Sequence, residues 1–286
     1  MNYQEKIDQY LETVNNGLMF FTRKDKGLVG EAMRYSLIGG GKRVRPTLAL
    51  MTCESLCGDW QPALLPSLAI EMVHSYSLIH DDLPCMDNDD YRRGQLSCHK
   101  KYGETVALLA GDALQAKAYE LLSSIPDTAI GLHCVKILSE ASGISGMVYG
   151  QELDLSESKD LHSLQLINRN KTGKMITAAV LLGEAAAANQ DPTIKTSLKQ
   201  YADSIGEVFQ IVDDILDVTS TNEVLGKPVG SDIKNNKETY VSLFGLEKAK
   251  DYANELTQSA CDQLSSLKDK AAPLKWYANQ LLVRIK

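Results

Sequence analysis

Positive charge is in short supply in this chain: 30 Lys and Arg stand against 37 Asp and Glu, a formal net charge of -7 with a pI near 5.3. Such a chain repels polyanions at long range, which excludes a nucleic-acid binder that works by bulk positive charge. An anionic ligand has to be met by local clusters or by metal ions. Proline is scarce, 8 in 286 residues, and no Pro or Ser/Gly tract marks a linker, so one domain over residues 1–286 is expected. The six cysteines (Cys53, Cys57, Cys85, Cys98, Cys134, Cys261) are scattered without a CxxC pair, too sparse for a disulfide framework or a zinc ribbon. They read as reduced thiols of a cytoplasmic protein. Long apolar runs are missing too: the nearest to the roughly 18 residues of a membrane span is Met175 to Ala188, which contains Glu184. No membrane partner is expected, and the opening MNYQEKIDQYLETVNNGLMFF lacks the basic region and apolar stretch of a secretory signal.

What the chain has in abundance is helix period. Ala69, Met72, Val73, Tyr76 and Ile79 recur at intervals of three and four, and Val208, Ile211, Val212 and Ile215 repeat the pattern. No alternating runs with Asn-Gly or Asp-Gly turns suggest a sheet. The reading is all-α, with loops expected at Cys57 to Pro62, Asn88 to Gly94, Ser123 to Thr128, Ser156 to Asp160, Asn189 to Pro192 and Thr219 to Glu238.

Two carboxylate clusters interrupt the apolar pattern. The first, in HSYSLIHDDLPCMDNDD, holds Asp81, Asp82 and Asp87; Pro84 disfavours helix at Leu83, so Asp87 should fold back from a loop. The second, in GEVFQIVDDILDV, places Gly206, Gln210, Asp213, Asp214 and Asp217 on one stripe of an otherwise apolar helix. Acidic residues on a helix are usually a solvated face, but two such sets, each led in by an apolar helix, point elsewhere. Ionised carboxylates on one wall raise one another's pKa unless a cation sits between them. Mg2+ binds through one or two carboxylates plus substrate phosphates, so two sets suggest a diphosphate held between them.

Basic residues complete the set. GGGKRVRP supplies Lys42, Arg43 and Arg45 beside three glycines, and it is not a P-loop, which would need Gly at Ser36 and Ser or Thr at Arg43. Arg92 and Arg93 follow the first cluster, Lys171 and Thr172 stand in NKTGK, and Lys227 and Lys237 follow the second cluster. Guanidinium forks suit bidentate phosphate contact. Lys100, Lys101 and Lys174 read as surface charges.

Taken in order, GGGKRVRP, EMVHSYSLIHDDLPCMDNDDYRRG, LLAGDAL, GQELDL, KTGK, FQIVDDILD and GKPVGSDIKNNKETY closely resemble the trans-isoprenyl diphosphate synthases, and within them the bacterial farnesyl diphosphate synthases. The resemblance implies an all-helical isoprenoid synthase-type bundle around a deep central cavity, the two Asp motifs facing each other at its mouth, and commonly a homodimer. It implies Mg2+, three ions per site, for which Mn2+ can substitute. Asp81, Asp82, Asp87 and Asp213 become metal ligands with Asp214 and Asp217 nearby. Arg92, Lys171, Thr172, Gln210, Lys227 and Lys237 become the allylic diphosphate site, with Asp81, Lys171, Thr172 and Gln210 closest to the chemistry. Lys42, Arg45, His74 and Arg93 become the isopentenyl diphosphate site. The implied reaction is ionisation, condensation and elimination to farnesyl diphosphate, with a geranyl or geranylgeranyl product as the alternative.

Tyr76 lies five residues before Asp81, about 7.5 Å deeper along a helix, and by resemblance forms the floor that limits product length. Two residues depart from the family pattern: Leu96 where Pro is usual and Tyr149 where Gly is common. Arg284, Ile285 and Lys286 form a short basic tail similar to those that close over substrate in relatives. A ferritin-like di-metal bundle is the rival from another chemistry, since Glu71 and His74 form an ExxH pair, but that site needs two such pairs and two further Glu. A terpene cyclase would have no use for GGGKRVRP, and a non-catalytic partner subunit would be expected to lose one Asp motif.

Overall fold

The computed structural model describes residues 2–155, 160–220 and 238–283. Lys227, Lys237 and the tail from Arg284 to Lys286 lie outside them.

The chain opens with α1 (Tyr3–Thr22), whose Asn2 and Glu5 exchange bonds in a capping box that satisfies free N–H groups of the first turn. After α2 (Gly27–Ile38), Gly40 and Gly41 take φ of 96° and 118°, which a side chain resists, and Arg43 enters α3 (Val44–Cys57) from the left-handed region at φ 48°. Ten consecutive residues of α3, Val44 to Cys53, are buried, so this is an interior helix. Next come α4 (Leu64–Asp81), the short α5 (Cys98–Tyr102), α6 (Glu104–Ser123) and α7 (Thr128–Ser142), the last capped by Asp127. Then α8 (Met147–Asp154) and α9 (Leu161–Asn168) lead through one π-helical turn, Arg169–Gly173, into α10 (Lys174–Ala186). The 28-residue α11 (Pro192–Thr219) starts with Asp191 as cap and Pro192 at its first position. The described chain ends with α12 (Tyr240–Phe244), α13 (Leu246–Gln263) and α14 (Ala272–Val283).

Buried side chains from α1 to α14 form one continuous cluster. Its axis is α10, apolar on nearly every side, as a helix enclosed by others must be. This is the run that came nearest to a membrane span in the sequence; no described helix is long and apolar enough to cross a membrane. Close packing needs small residues at particular points. A Cβ at Gly183 would lie 2.2 Å from the Ala49 carbonyl oxygen, and one at Gly111 would lie 2.1 Å from Nε2 of His80, so α10 meets α3 and α6 meets α4 only because both are glycine.

The all-α reading holds, with one exception. Tyr91–Arg92 and Gln95–Leu96 pair as a two-residue antiparallel hairpin where a plain loop is expected. Its turn residues Arg93 and Gly94 have φ of 54° and 76°, the positive values a tight hairpin requires. Arg-Gly is not the usual sequence signal for such a turn.

Candidate active site

Four elements converge. The first carboxylate set is made by the end of α4. The helix stops at Asp81 ahead of Pro84, and the chain curls so that the Asp87 N–H donates to the Asp81 carbonyl at 2.8 Å. Asp87 thus folds back from a loop, exposed, beside the Asp81 carboxyl. Burial raises Asp81 to about 6; Asp87 and Asp82 push the same way, while Lys171 and Arg92 oppose. Asp82 is buried and ion-paired with Arg92, whose Nε donates at 2.9 Å and whose Nη2 adds a second bond. Even so, burial outweighs Arg92 and holds the Asp82 acid above the ordinary range. Arg92 also reaches Asp89 at 3.2 Å.

The second set lies on α11. Asp213 is partly exposed, whereas Asp214 and Asp217 are buried. Gln210 Nε2 donates to Asp214 Oδ1 at 2.9 Å, and the Tyr240 backbone N–H donates to Oδ2 at 2.9 Å. Asp213 is near enough to Arg45 to favour its charge.

Lys171 and Thr172 stand on the π-helical turn. A π turn accommodates one residue more than an α turn and breaks the helix's side-chain register, which here presents Lys171 sideways: its Nζ lies 2.6 Å from Asp154 Oδ2 on α8, and its charge reaches Asp81. Two glycines admit the widened turn. A Cβ on Gly150 would be 2.1 Å from the Lys171 nitrogen, and one on Gly206 would be 2.9 Å from the Gly173 Cα. Thr172, the next residue, is half-buried.

The fourth element is a cation cluster behind the glycine turn. Arg43, which carries no role in the sequence reading, is its anchor: buried, with Nη1 2.6 Å from Glu71 Oε1, Nε on Asn15 Oδ1 at 3.0 Å, and Nη2 on the Leu37 carbonyl. Arg93 lies 4.0 Å from the same Glu71 oxygen and donates to the Gly40 carbonyl. The missing Cβ of Gly41 makes room for it, since one there would sit 2.7 Å from Arg93 Cζ. Arg45 is buried, and its Nε has no acceptor among the described residues. Burial lowers the pKa of both Arg45 and Arg93, with Glu71 opposing in each case. His74 is held well below its ordinary value by burial and then by Arg45, Arg93, Arg43 and Arg92, so its imidazole is neutral. Lys42 is exposed at the edge. Glu71 is therefore committed to arginine, which removes it from any ExxH metal pair. One carboxylate among three guanidinium groups leaves positive charge that an anion would neutralise.

Tyr76 is 7% exposed, edge-on to His80 at 5.7 Å, and bonded to Gln115 of α6. Burial, with Tyr119 nearby, pushes its phenol up to about 12.

Of the set expected from the sequence, Lys171 and Arg92 lie by Asp81, Arg45 by Asp213, Gln210 by Asp214, and His74 by Arg45, Arg92 and Arg93; Thr172, Asp217 and Lys42 stand on the same elements, and Lys227 and Lys237 fall outside the described residues. Missed were Arg43, Asn15, Glu71 and Asp154. A Glu inside the apolar run of α4 was the available signal for Glu71, and GQELDL for Asp154. As to Mg2+, the donors are hard carboxylate oxygens, and at Asp81 the nearby charges of Lys171 and Arg92 do not offset burial, which leaves its pKa raised, so a further cation suits this set. Among the described residues no three side chains form a ready cage. Mg2+ completes its shell with water and phosphate, so the two fit.

A family model described as polyprenyl synthetase matches residues 26–275. Over 290 residues the chain is 42% identical to the farnesyl diphosphate synthase of Micrococcus luteus, covering 99% of each. It is 44% identical to the heterodimeric geranylgeranyl pyrophosphate synthase large subunit 1, chloroplastic, of Arabidopsis thaliana, over 90% of this chain and 72% of that protein. Its fold matches a crystal structure of the Helicobacter pylori geranyltransferase complexed with magnesium and isoprenyl diphosphate, with a TM-score of 0.83, 34% identity and coverage of 97% and 96%.

Proposed function

Because the chain belongs to the polyprenyl synthetase family, we propose that the two carboxylate sets and the arginine cluster are the two substrate sites of a farnesyl diphosphate synthase. It is a short-chain prenyltransferase, joining isopentenyl diphosphate head-to-tail to dimethylallyl and then geranyl diphosphate. The observation that carries the two-site reading is the segregation of charge: carboxylates with Lys171 on one side, and Arg43, Arg45 and Arg93 around a single Glu71 on the other. A metal-borne diphosphate suits the first, and a bare diphosphate the second.

Asp81, Asp82, Asp87 and Asp213 would hold Mg2+, which supplies positive charge against the leaving diphosphate. Asp214 and Asp217, buried on α11, would support that set from behind. Lys171 and Arg92 add cationic contacts to the diphosphate, with Lys227 and Lys237 assigned there on sequence alone. When the allylic C–O bond breaks, the electron pair leaves with the diphosphate and an allylic cation remains. Thr172 and Gln210 turn oxygen dipoles toward it. Lys42, Arg45, His74 and Arg93 hold isopentenyl diphosphate so that its double bond attacks that cation. A proton is then lost to the departing diphosphate, and no side-chain nucleophile is required.

The test is incubation of the purified protein with isopentenyl and geranyl diphosphates, with and without Mg2+, and separation of the dephosphorylated alcohols by chain length. Metal-dependent farnesol is expected; a folded protein that forms no prenyl product from any starter overturns the reading. Tyr76 supports farnesyl over geranylgeranyl, because a buried aromatic side chain about 7.5 Å below Asp81 would stop a prenyl chain that grows along α4. Tyr76→Ala should shift the main alcohol from farnesol to geranylgeraniol in the same assay. An active variant that still stops at farnesol would remove Tyr76 from that role.

The exposed side chains of Leu108 and Leu109 on α6, Leu132 on α7 and Ile144 support a homodimer that covers them. Six free cysteines, four of them buried, fit a reducing cytoplasm.

A further inference from the structure

Glu207 stands on α11 two turns before Asp214, on the same helix face. One of its oxygens, Oε1, collects donors from three other elements: the Tyr240 hydroxyl of α12 at 2.9 Å, the Tyr252 hydroxyl of α13 at 3.0 Å, and Gln165 Nε2 of α9 at 3.5 Å. Tyr240 is fully buried, and its ring packs against Tyr252 and Phe244 at centroid distances of 6.1 and 6.2 Å. Its other end, the backbone N–H, is bonded to Asp214 Oδ2, while Gln210 takes Oδ1. Tyr240 therefore lies along α11 pinned at both ends, by Glu207 at the phenol and by Asp214 at the backbone. Both oxygens of Asp214 are engaged inside the protein, next in sequence to Asp213.

We propose that Glu207 is a positioning residue for the second carboxylate set: through Tyr240 it fixes Asp214, and so sets how tightly the adjoining site takes a magnesium-bound diphosphate. This rests on the two-site reading above. Partners hydrogen-bonded to metal ligands change metal affinity by about 10- to 100-fold when removed, and Glu207, which stands one step further back behind Tyr240 and Asp214, belongs at the low end of that range. Glu207→Leu takes away the acceptor for both phenols, whereas Glu207→Gln keeps an amide oxygen in the same place.

The experiment is calorimetric titration of Mg2+ into each protein in saturating inorganic diphosphate. The dissociation constant should rise about tenfold in Glu207→Leu and in Tyr240→Phe, with no further rise in the double variant, because both cut one connection. Glu207→Gln should stay close to the parent. In steady state the KM for geranyl diphosphate should rise while that for isopentenyl diphosphate holds. A folded Glu207→Leu or Tyr240→Phe with parental Mg2+ affinity, or strictly additive losses, overturns the proposal; should Glu207→Leu fail to fold, Tyr240→Phe alone decides it. A parent protein that binds no Mg2+ with diphosphate would instead overturn the functional reading itself.

Discussion

Asp81→Asn should yield a folded, more stable and nearly inert protein. Burial raises the Asp81 acid from 3.8 to about 6, so the native state holds a proton more tightly than the unfolded chain does. Stability is then highest at low pH and falls as pH rises through the window from about 4 to 6, the reverse of a salt-bridged aspartate. At pH 7 the cost of the buried charge is on the order of 2 to 3 kcal/mol, and the amide removes most of it. The same amide cannot offer the cation an anionic oxygen, so turnover should fall by about 10³ or more. Two measurements check this. Without metal, the melting temperature of Asp81→Asn should exceed that of the parent at pH 7.5 and approach it at pH 4. With Mg2+ and diphosphate, the parent should gain stability that the variant does not, and that gain should shrink as pH drops below 6, where Mg2+ must displace a proton. A variant that loses stability at pH 7.5 would show that Asp81 is held by cations already present.

Glu71→Gln should do the opposite and weaken the fold. Glu71 is 1% exposed and meets Arg43 at 2.6 Å and Arg93 at 4.0 Å, with Arg45 also under its influence. Removing one partner of a buried pair leaves charge uncompensated and typically costs about 3 to 5 kcal/mol, so the melting temperature should drop on the order of 10 °C. Because bound isopentenyl diphosphate would supply the missing negative charge, it should raise the melting temperature of the variant by more than it raises the parent's. Equal gains in the two proteins would place the ligand away from this cluster. Replacing Glu71 and Arg43 together by methionine should destabilise less than Glu71→Gln, since the closest pair is then removed as a unit.

The helices and the carboxylate sets were legible in the sequence because both are periodic or local signals. Apolar spacing placed α4 and α11, Pro84 placed the end of α4, and the folding back of Asp87 followed from the two together. Arg43 was not legible, since it sits in the same basic run as Lys42 and Arg45, and only the left-handed backbone at Arg43 turns it inward toward Glu71. The hairpin after Asp90 escaped for a similar reason, its two-residue strands being too short to show a period. The π-helical turn was equally hidden: NKTGK reads as ordinary helix, and the glycines that admit the bulge, Gly150 and Gly206, come from other elements far away in sequence. Glu207 carries no signal in the sequence, because its three donors converge only in space.

The widened turn at Arg169–Gly173 also bears on how a protein of this shape could lose its activity. Deleting one residue there would let α9 run straight into α10 as a continuous α-helix, with every hydrogen bond of the turn remade in regular form. Each residue on the shortened side would rotate by about 100° around the helix axis, enough to swing Lys171 away from Asp81 and Asp154 while the buried residues of α10 keep their places. A three-base deletion could thus turn an enzyme into an inert bundle of almost the same sequence, with both aspartate sets intact and no substitution at any of them.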